Sequence, residues 1–506
     1  MKAATLSAVV MRSLLLLSRF LGAACAAAGA SVVRGQAPRD APVIALTRVT
    51  LVDPALAAPQ RDATIVIQGQ RIVAAGARRA ITIPRGARVI DANGKYVLPG
   101  LWDMHTHVAQ PVAAGVELET GAAYFFPLLI AHGVTGVRDM AGDLATLRRW
   151  RGEIDQGKRI GPRLIVTGEK LGKGPVVPGA PFPIERASDV ERSVRALKEA
   201  GADFVKLDVI RPELVGPLMR TASTLGMPVA GHVENLYSVR DLAAQGLRSV
   251  EHLDGMLLAA NRNEASVRLA LQRNAQPTLW HRLLVKAGMR EAIAYPAAAQ
   301  LAGYSSARAD SLFDLLRQHG TWQCPTLRLL GVLYRQSDPN LRAPPDSLLL
   351  RAVREAWNGY INAPFPAEHP LSPVYPKLQE IVRGMSARGV GLLAGTDTPG
   401  LAAVPGRALH EELGLLVAAG LTPRDALRAA TTGPAAYLEA SDSLGTIRAG
   451  AVADLLLLDG DPLADIANTQ RIRAVFTRGR YFDRAALDTL IGDAAAVARR
   501  VRSGTP

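Results

Sequence analysis

The chain has 506 residues, of which 48% are apolar and 21% are charged, proportions that are ordinary for soluble globular proteins. These values exclude wholesale disorder and a polytopic membrane protein, and the length allows two or three domains. The formal net charge is +14, but the basic residues are mostly arginines scattered along the chain without a recognition motif, so we expect no nucleic-acid partner.

The N-terminus has the layout of a secretory signal. Arg12 precedes a short apolar run, and small residues dominate positions 21–30. The run is too short to span a membrane and is soon followed by Arg19, so a removable signal and leader within residues 1–37 fits better than a retained anchor. A lipid-modified Cys25 stays open as an alternative. We expect an exported protein, periplasmic or secreted, with no stable membrane span after signal removal.

Cys324 is the only thiol that remains if this signal is removed. No internal disulfide can then form, and no reactive-cysteine motif surrounds this residue. We therefore expect Cys324 to be a buried structural thiol.

Residues 41–98 are expected to form the first part of a β-domain. Gly69 and the pair Asn93-Gly94 separate runs rich in β-branched and aliphatic residues, and Asn-Gly is the strongest short-range hairpin signal. The strand-like runs lie at residues 43–52, 63–67 and 71–75.

Strand-like sequence returns near the other end of the chain. It lies at residues 453–458 and 472–482, with Arg478-Gly479 as a turn. Residues 426–490 are therefore expected to hold a last helix and the second part of the β-domain, and residues 491–506 to form a tail. The prediction is one composite β-sandwich built by both chain ends.

Between these parts, residues 99–425 alternate short apolar strands with helix-length amphipathic stretches, a pattern typical of repeated βα units. Eight strands are needed to close a (β/α)₈ TIM barrel. Eight predicted strand ends lie near His107, Asp139, Thr167, Leu207, His232, His252, Thr326 and Asp397. Helices are expected at residues 187–200, 240–245 and 407–419.

Two stretches of this barrel, residues 256–321 and 328–390, are too long for simple connections. Insertions that follow barrel strands lie at the carboxyl face of the barrel, where they can cover an active site. We interpret both as a substrate lid.

The first candidate site is the sequence His105-Thr106-His107 at a strand end. Side chains at positions i and i+2 of a strand point to one face, so the two imidazoles can hold one metal ion. A His-x-His pair alone is weak evidence, because it also arises by chance.

Four more residues stand at comparable places in the repeat. Lys206, His232, His252 and Asp397 each end a short apolar run. Steps of about 26 and 20 residues between the first three match one βα unit of a barrel. A single histidine or aspartate at such a place is usually structural, but six metal-suited side chains at strand ends point to a metal site.

On these motifs the chain resembles the amidohydrolase superfamily, in its imidazolonepropionase-like and prolidase-like branch. The resemblance implies a (β/α)₈ barrel with a composite β-domain and a small-molecule substrate. It also implies two divalent metal ions, expected to be Zn²⁺, with Lys206 carboxylated as a bridging carbamate. In a mononuclear alternative, Lys206 is only an ion-paired lysine. The implied ligands are His105, His107, Lys206, His232, His252 and Asp397.

The implied activity is hydrolysis of a carbon–nitrogen bond in an amide, a dipeptide-like compound or a cyclic amide. A metal-bridging hydroxide would attack the substrate, with Asp397 as general base and then general acid. Esterase, lactonase or phosphotriesterase activity at the same centre is the alternative, and a non-catalytic binding scaffold is the second. The sequence is also compatible with a homo-oligomer.

Other polar residues carry weaker expectations. Tyr237, close after His232, is a candidate substrate contact. Arg138 and Asp139 either orient substrate or form a buried ion pair. Structural roles are expected for His132 and His410, and the three histidines of the insertions, His281, His319 and His369, are expected on the surface of the lid.

Overall fold

The computed structural model describes residues 42–111, 116–233, 236–274, 299–334, 348–350, 353–355, 358, 373–400 and 403–501. The predicted signal within residues 1–37 lies outside this set, as do His281, His369 and parts of both insertions, so the signal and the lid stay predictions. Of the helices within the set, none is both long and apolar enough to cross a membrane.

The strands of these residues are numbered in chain order. They are β1 (Val43–Leu51), β2 (Gln60–Gln68), β3 (Arg71–Ala77), β4 (Arg88–Asp91), β5 (Tyr96–Pro99), β6 (Leu101–Thr106), β7 (Val134–Asp139), β8 (Arg163–Val166), β9 (Val205–Leu207), β10 (Val229–Gly231), β11 (Ser249–Glu251), β12 (Trp322–Cys324), β13 (Leu455–Leu458), β14 (Ile472–Thr477) and β15 (Arg480–Asp483).

The helices flank these strands. The α-helices are Leu118–Ala131, Leu144–Asp155, Ala187–Glu199, Pro212–Thr224, Val239–Ala244, Met256–Ala259, Glu264–Asn274, Ser306–His319, Leu327–Tyr334, Val374–Ala387, Arg407–Ala418, Pro423–Ala429, Thr432–Tyr437 and Arg484–Arg500, with 3₁₀ turns at Arg78–Ala80 and Ile466–Gln470.

Both chain ends build one mixed sheet. Its order is β15-β14-β13-β5-β1-β2-β3, and β4 pairs with β1 off this path. The antiparallel pairing of β5 with β13 joins the N-terminal strands to the C-terminal strands. Side chains of both parts, among them Leu46, Ile72, Leu455 and Phe476, share an apolar core of their own. The composite β-domain is thus present as one continuous sheet, while its division into a two-layer sandwich stays a prediction.

The two turn signals of this domain have different outcomes. Gly69 has a φ of 56° and lies in the turn between the antiparallel strands β2 and β3, as expected of a hairpin. Asn93-Gly94 instead joins β4 to β5, which both pair in parallel with β1. The hairpin expected there is wrong, because β4 and β5 follow one another along the same edge of β1.

The strands between these ends form two parallel sheets, β6-β7-β8 and β9-β10-β11-β12. On one side the Leu171 amide donates to the Lys206 carbonyl at 2.9 Å and so links the segment that follows β8 to β9. On the other side, the Leu393 amide donates to the Gln323 carbonyl of β12, and the Met104 amide of β6 donates to the Ala394 carbonyl, each at 2.9 Å. The segment 391–398, predicted as the eighth strand, thus lies between β12 and β6. This is an α/β domain of the TIM-barrel type.

Two predicted boundaries fall inside helices. The boundary at residue 425 lies within Pro423–Ala429, and the tail expected from residue 491 begins inside Arg484–Arg500. The last helix packs against Leu118–Ala131. It buries Leu487, Leu490 and Ala494, which recur at helical spacing on one face, and this burial holds the chain end in place.

Candidate metal centre

Five of the six predicted ligands lie at or just beyond the carboxyl ends of parallel strands, and the sixth, Lys206, lies within a strand of three residues. Lys206 is in the middle of β9, and His232 and His252 directly follow β10 and β11. Asp397 is near the end of the segment 391–398, beside β6, which carries His105, with His107 directly after it. Parallel strands deliver these side chains to one face of the domain.

The four imidazoles form a continuous row. Ring centroids are 5.4 Å apart for His107 and His105, 4.4 Å for His105 and His252, and 5.0 Å for His252 and His232. Asp397 Oδ1 lies 3.2 Å from His105 Nε2 and 3.0 Å from His107 Nε2. The donor atoms of His105, His107 and Asp397 all lie within 4.8 Å of one another, close enough to share one metal ion.

Hydrogen bonds on the far side of these rings decide where their protons lie. His105 Nδ1 is 2.8 Å from a Glu251 carboxylate oxygen, and His107 Nδ1 is 3.3 Å from the Ala141 carbonyl oxygen. Both partners only accept hydrogen bonds, so each Nδ1 carries a proton and each ring turns its Nε2 toward Asp397. Two imidazole nitrogens and a carboxylate oxygen that converge in this way are donors that suit a divalent ion such as Zn²⁺. The donor set therefore fits a divalent metal ion.

The other two imidazoles are held in the same manner. His232 Nδ1 lies 2.7 Å from Asp254 Oδ2, and His252 Nδ1 lies 2.7 Å from the Thr326 hydroxyl. Burial lowers the pKa of His252 well below its usual value, which keeps the ring neutral and its Nε2 available to a metal.

The backbone at the site departs from ordinary strand geometry. His252, Thr326 and Asp397 have φ values of 57°, 48° and 58°, in the left-handed region that non-glycine residues seldom adopt. Each such residue costs on the order of 1–3 kcal/mol and persists only where surrounding structure enforces it, typically at functional sites.

Asp397 is ionised in this setting. Burial favours the neutral acid, but hydrogen bonds and charge from His105 and then His107 outweigh it and hold the pKa of Asp397 well below its usual range. The carboxylate can therefore bind a cation or accept a proton.

Lys206 is fully buried, and its Nζ has no hydrogen-bond partner among the described residues. An unpaired ammonium in such a place is costly, and burial lowers the pKa of Lys206 to about 8, with the charge of Lys170 acting in the same direction. A substantial neutral fraction follows near pH 8, and a neutral amine can react with carbon dioxide. The orphaned Nζ thus fits a carbamate.

A cavity of about 310 Å³ opens onto these groups. The described residues lining it are His107, Gln110, Lys170, His232, His252, Asp397, Pro399 and Gly400. Tyr237, the predicted substrate contact, is not among them. Its hydroxyl accepts from the Ile210 amide at 2.8 Å and donates to the Ile210 carbonyl, which ties together two loops that follow the strands.

Sequence reasoning missed the acid that holds the first imidazole. Glu251, which is fully buried, also accepts two 2.9 Å hydrogen bonds from Arg138 Nη2. Arg138 is therefore part of a buried ion pair, but its partner is Glu251, and the pair expected between Arg138 and Asp139 is wrong. Asp139 instead accepts from the Val108 amide at 2.7 Å. A charged residue inside a three-residue buried strand was the available signal, because such a charge must find a partner.

The remaining candidates lie away from the cavity. His132 caps the helix Leu118–Ala131, and His410 Nε2 donates to the His132 carbonyl oxygen at 2.9 Å. His319 ends the helix Ser306–His319. Cys324 is a free, fully buried thiol, as predicted.

We expect Glu251→Gln to destabilise the protein and weaken metal binding together. It leaves Arg138 without its buried counter-charge, a loss typically of about 3–5 kcal/mol, and it weakens the orientation of His105, worth about 10- to 100-fold in metal affinity. Urea unfolding and chelator competition measure the two effects.

Glu439→Gln is the matched control for this change. Glu439 pairs with Arg248 at 3.2 Å, but its side chain is 78% exposed, so neither stability nor metal affinity should change. Equal behaviour of the two variants would contradict the positioning role of Glu251.

Comparison with known proteins places this geometry in a family. A profile of the amidohydrolase family matches residues 96–481. A dihydroorotase of Pelobacter propionicus is 28% identical over 177 residues, which span 34% of this chain and 39% of that protein. An adenine deaminase of Mesorhizobium japonicum is 34% identical over 73 residues, 14% of this chain and 11% of that protein.

Solved structures share the fold over most of the chain. A Xaa-Pro dipeptidase with bound methionine superposes with a TM-score of 0.62 at 21% identity, covering 87% of this chain and 100% of that chain. Bottromycin amidohydrolase superposes with a TM-score of 0.64 at 24% identity, covering 91% of both chains. Since the family profile spans the two parallel sheets and the strands of the β-domain sheet from β5 onward, this chain belongs to the amidohydrolase family.

Proposed function

We propose that this protein is a metal-dependent hydrolase that cleaves a carbon–nitrogen bond in a small amide, a dipeptide-like compound or a cyclic amide. The observation that carries the proposal is the convergence of two Nε2 atoms, of His105 and His107, on one oxygen of Asp397. The names of similar proteins, dihydroorotase, Xaa-Pro dipeptidase and bottromycin amidohydrolase, agree with this class of bond.

The proposed centre holds two divalent ions. His105, His107 and Asp397 would hold one, and His232 and His252 the other, with Lys206 between them as a carbamate. Histidine nitrogen and carboxylate oxygen are donors that suit Zn²⁺. The fully buried Lys206 Nζ without a partner supports the bridge, since a carbamate there would give the lysine an anionic end to face the cations.

A closed (β/α)₈ barrel would explain why these residues meet. The hydrogen bonds of Leu171 with β9, and of the segment 391–398 with both β12 and β6, support such closure. Closure fixes every ligand on a rigid strand end, which is the placement that precise metal geometry requires.

When bound, the metal ions would supply a hydroxide near neutral pH and polarise the substrate carbonyl. Asp397 would take up the proton released during attack. Its Oδ1 lies 3.0 Å from His107 Nε2 and the residue lines the cavity, which supports this role. It would then deliver that proton to the departing nitrogen. Glu251 and Asp254 keep the imidazoles in the tautomer that directs Nε2 into the site.

A metal analysis combined with a substrate panel tests this function. We expect close to two zinc-like ions per chain, loss of activity on chelation, and recovery when Zn²⁺ is returned. The panel contains acyl dipeptides, cyclic amides, lactones and phosphotriesters, and turnover should be highest for amides. Protein that binds no divalent ion would end the proposal, and preference for lactones or phosphotriesters would move it to the other class.

A further inference from the structure

A buried carboxylate that does not line the cavity contacts the loop that holds one of the imidazoles. Glu412 lies in the helix Arg407–Ala418, which follows Asp397 in the chain, and it is fully buried. We propose that Glu412 is a positioning residue for His252, on which it acts through Thr326. This inference rests on the proposed function, because His252 is assigned there to the second of the two metal ions.

The carboxylate of Glu412 accepts two backbone hydrogen bonds. The Leu327 amide donates to its Oε1 at 2.9 Å, and the Arg328 amide donates to its Oε2 at 2.8 Å. Both amides belong to the first turn of the helix Leu327–Tyr334, where backbone N–H groups have no acceptor inside the helix. The two hydrogen bonds therefore attach the start of this helix to Glu412.

Thr326 directly precedes these two amides. Its φ of 48° lies in the left-handed region, which is especially unfavourable for a β-branched residue and persists only where surrounding contacts enforce it. The peptide bond between Thr326 and Leu327 is held at both ends, because its N–H donates to Glu412 and its carbonyl accepts from the Leu330 amide at 3.1 Å. The hydrogen bond to Glu412 thus helps to keep Thr326 in this conformation.

The conformation of Thr326 decides where its hydroxyl lies. Thr326 is fully buried, and its Oγ1 is 2.7 Å from His252 Nδ1. Since this contact occupies Nδ1, the other nitrogen of the ring, Nε2, is the one available to a metal ion. Glu412 therefore reaches His252 through the peptide bond and the hydroxyl of Thr326.

The chemistry of Glu412 supports this role over simple packing. The carboxylate forms no ion pair within the described residues, and the Arg328 side chain donates to Glu411 Oε2 instead, at 2.6 Å. Burial of a carboxylate without a cationic partner is costly, and an apolar side chain could fill the same space. A carboxylate, however, offers one oxygen to each of the two amides at the same time.

Chelator competition on the zinc-loaded protein measures the expected effect. We expect Glu412→Gln to weaken the binding of one zinc ion about 10- to 100-fold, as is typical when an outer partner of a metal ligand is lost, and to leave the other ion within about twofold. The glutamine has only one acceptor oxygen and turns an N–H group toward the second amide. Glu412→Asp keeps the charge but is shorter by one methylene. We expect a change in the same direction, and this variant carries the comparison if Glu412→Gln does not fold.

Glu411→Gln is the matched control. Glu411 precedes Glu412 in the same helix, but its side chain is 38% exposed and pairs with the side chains of Arg328 and Arg407. The variant loses the same charge from the same helix and leaves both backbone amides with Glu412, so neither ion should bind more weakly. Thermal unfolding of each variant measures stability separately from metal binding.

A double-mutant cycle with Thr326→Val tests whether Glu412 acts through Thr326. This substitution removes the hydroxyl and keeps the branched shape. Effects of residues that share one chain of contacts do not add, so Glu412→Gln should weaken metal binding by no more than about twofold once Thr326→Val is present. Losses that multiply in the double variant would overturn the proposal. So would a Glu412→Gln variant that unfolds at a lower temperature but binds both ions like the wild type.

The ring of His252 can also be followed in the metal-free protein. With isotope-labelled histidine, the nitrogen chemical shifts of the ring report which nitrogen carries the proton and the hydrogen bond. We expect equal shifts in the wild type and Glu411→Gln, and a change in Glu412→Gln toward the shifts of Thr326→Val. A wild-type protein without bound ions would remove the proposed function, while these shifts would still test Glu412. Two bound ions with unchanged His252 shifts in Glu412→Gln would keep the proposed function and overturn the positioning role.

Discussion

Asp397→Asn is expected to lower kcat at least about 1,000-fold on the best amide substrate. General acid–base catalysis contributes about 100- to 10,000-fold, and the amide side chain can neither accept the proton nor balance the charge of a metal ion. Steady-state kinetics together with metal analysis of the variant measure the effect. A variant that has lost activity but retained metal would favour the proton-transfer role over the ligand role.

Asp254→Asn gives the comparison for this variant. Asp254 contacts the same set of imidazoles through His232 Nδ1, but it does not line the cavity. Loss of an outer partner of this kind costs about 10- to 100-fold. If Asp397→Asn kept more than a tenth of wild-type kcat, Asp397 would not be the base.

The second large effect is expected for Lys206→Ala, which should lose at least one of the two metal ions and lower kcat about 100-fold or more. A bridging ligand contributes to both ions, so its removal exceeds the 10- to 100-fold cost of an outer partner. Inductively coupled plasma mass spectrometry gives the metal content. Addition of a short carboxylate such as propionate should restore part of the activity, because it can occupy the place of the carbamate.

Lys198→Ala is the control, since Lys198 is partly exposed and donates to the Leu225 carbonyl at 3.0 Å, away from the cavity. Its metal content and kcat should equal those of the wild type. Full retention of both ions by Lys206→Ala would refute the bridging carbamate.

The positions of the ligands could be predicted because they depend on local pattern. His232 and His252 each follow a short apolar run, and parallel strands of a barrel bring such ends to one face whatever the details of packing. The eighth strand was predicted for the same reason, although the left-handed φ of Asp397 and irregular pairing leave it as bridges in the structure.

The groups that orient the ligands could not be predicted, because they depend on register across the barrel. Glu251 meets His105 and Arg138 from other strands, and nothing near it in sequence indicates which face of the barrel those residues share. Lys170, which lines the cavity, was not predicted there for a similar reason, since only the pairing of Leu171 with β9 brings it to the cavity.

The direction of the Tyr237 hydroxyl could not be predicted from the position of this residue in the sequence. The sequence places it shortly after His232, near the mouth of the barrel, but the direction of its hydroxyl is decided by the backbone of Ile210. A phenol that already both donates and accepts has little capacity left for a substrate.

Because β5 pairs with β13, one side of β5 stays unpaired until the ribosome has synthesised β13. While the ribosome is still adding the residues before Leu455, β5 has a partner in β1 on one side and an open row of backbone amides and carbonyls on the other. Such a row can capture a neighbouring nascent chain. The strands β13, β14 and β15, within the last fifty or so residues, therefore complete a sheet that begins with β1. Fragments that end before these strands keep an unpaired strand edge that can bind other chains.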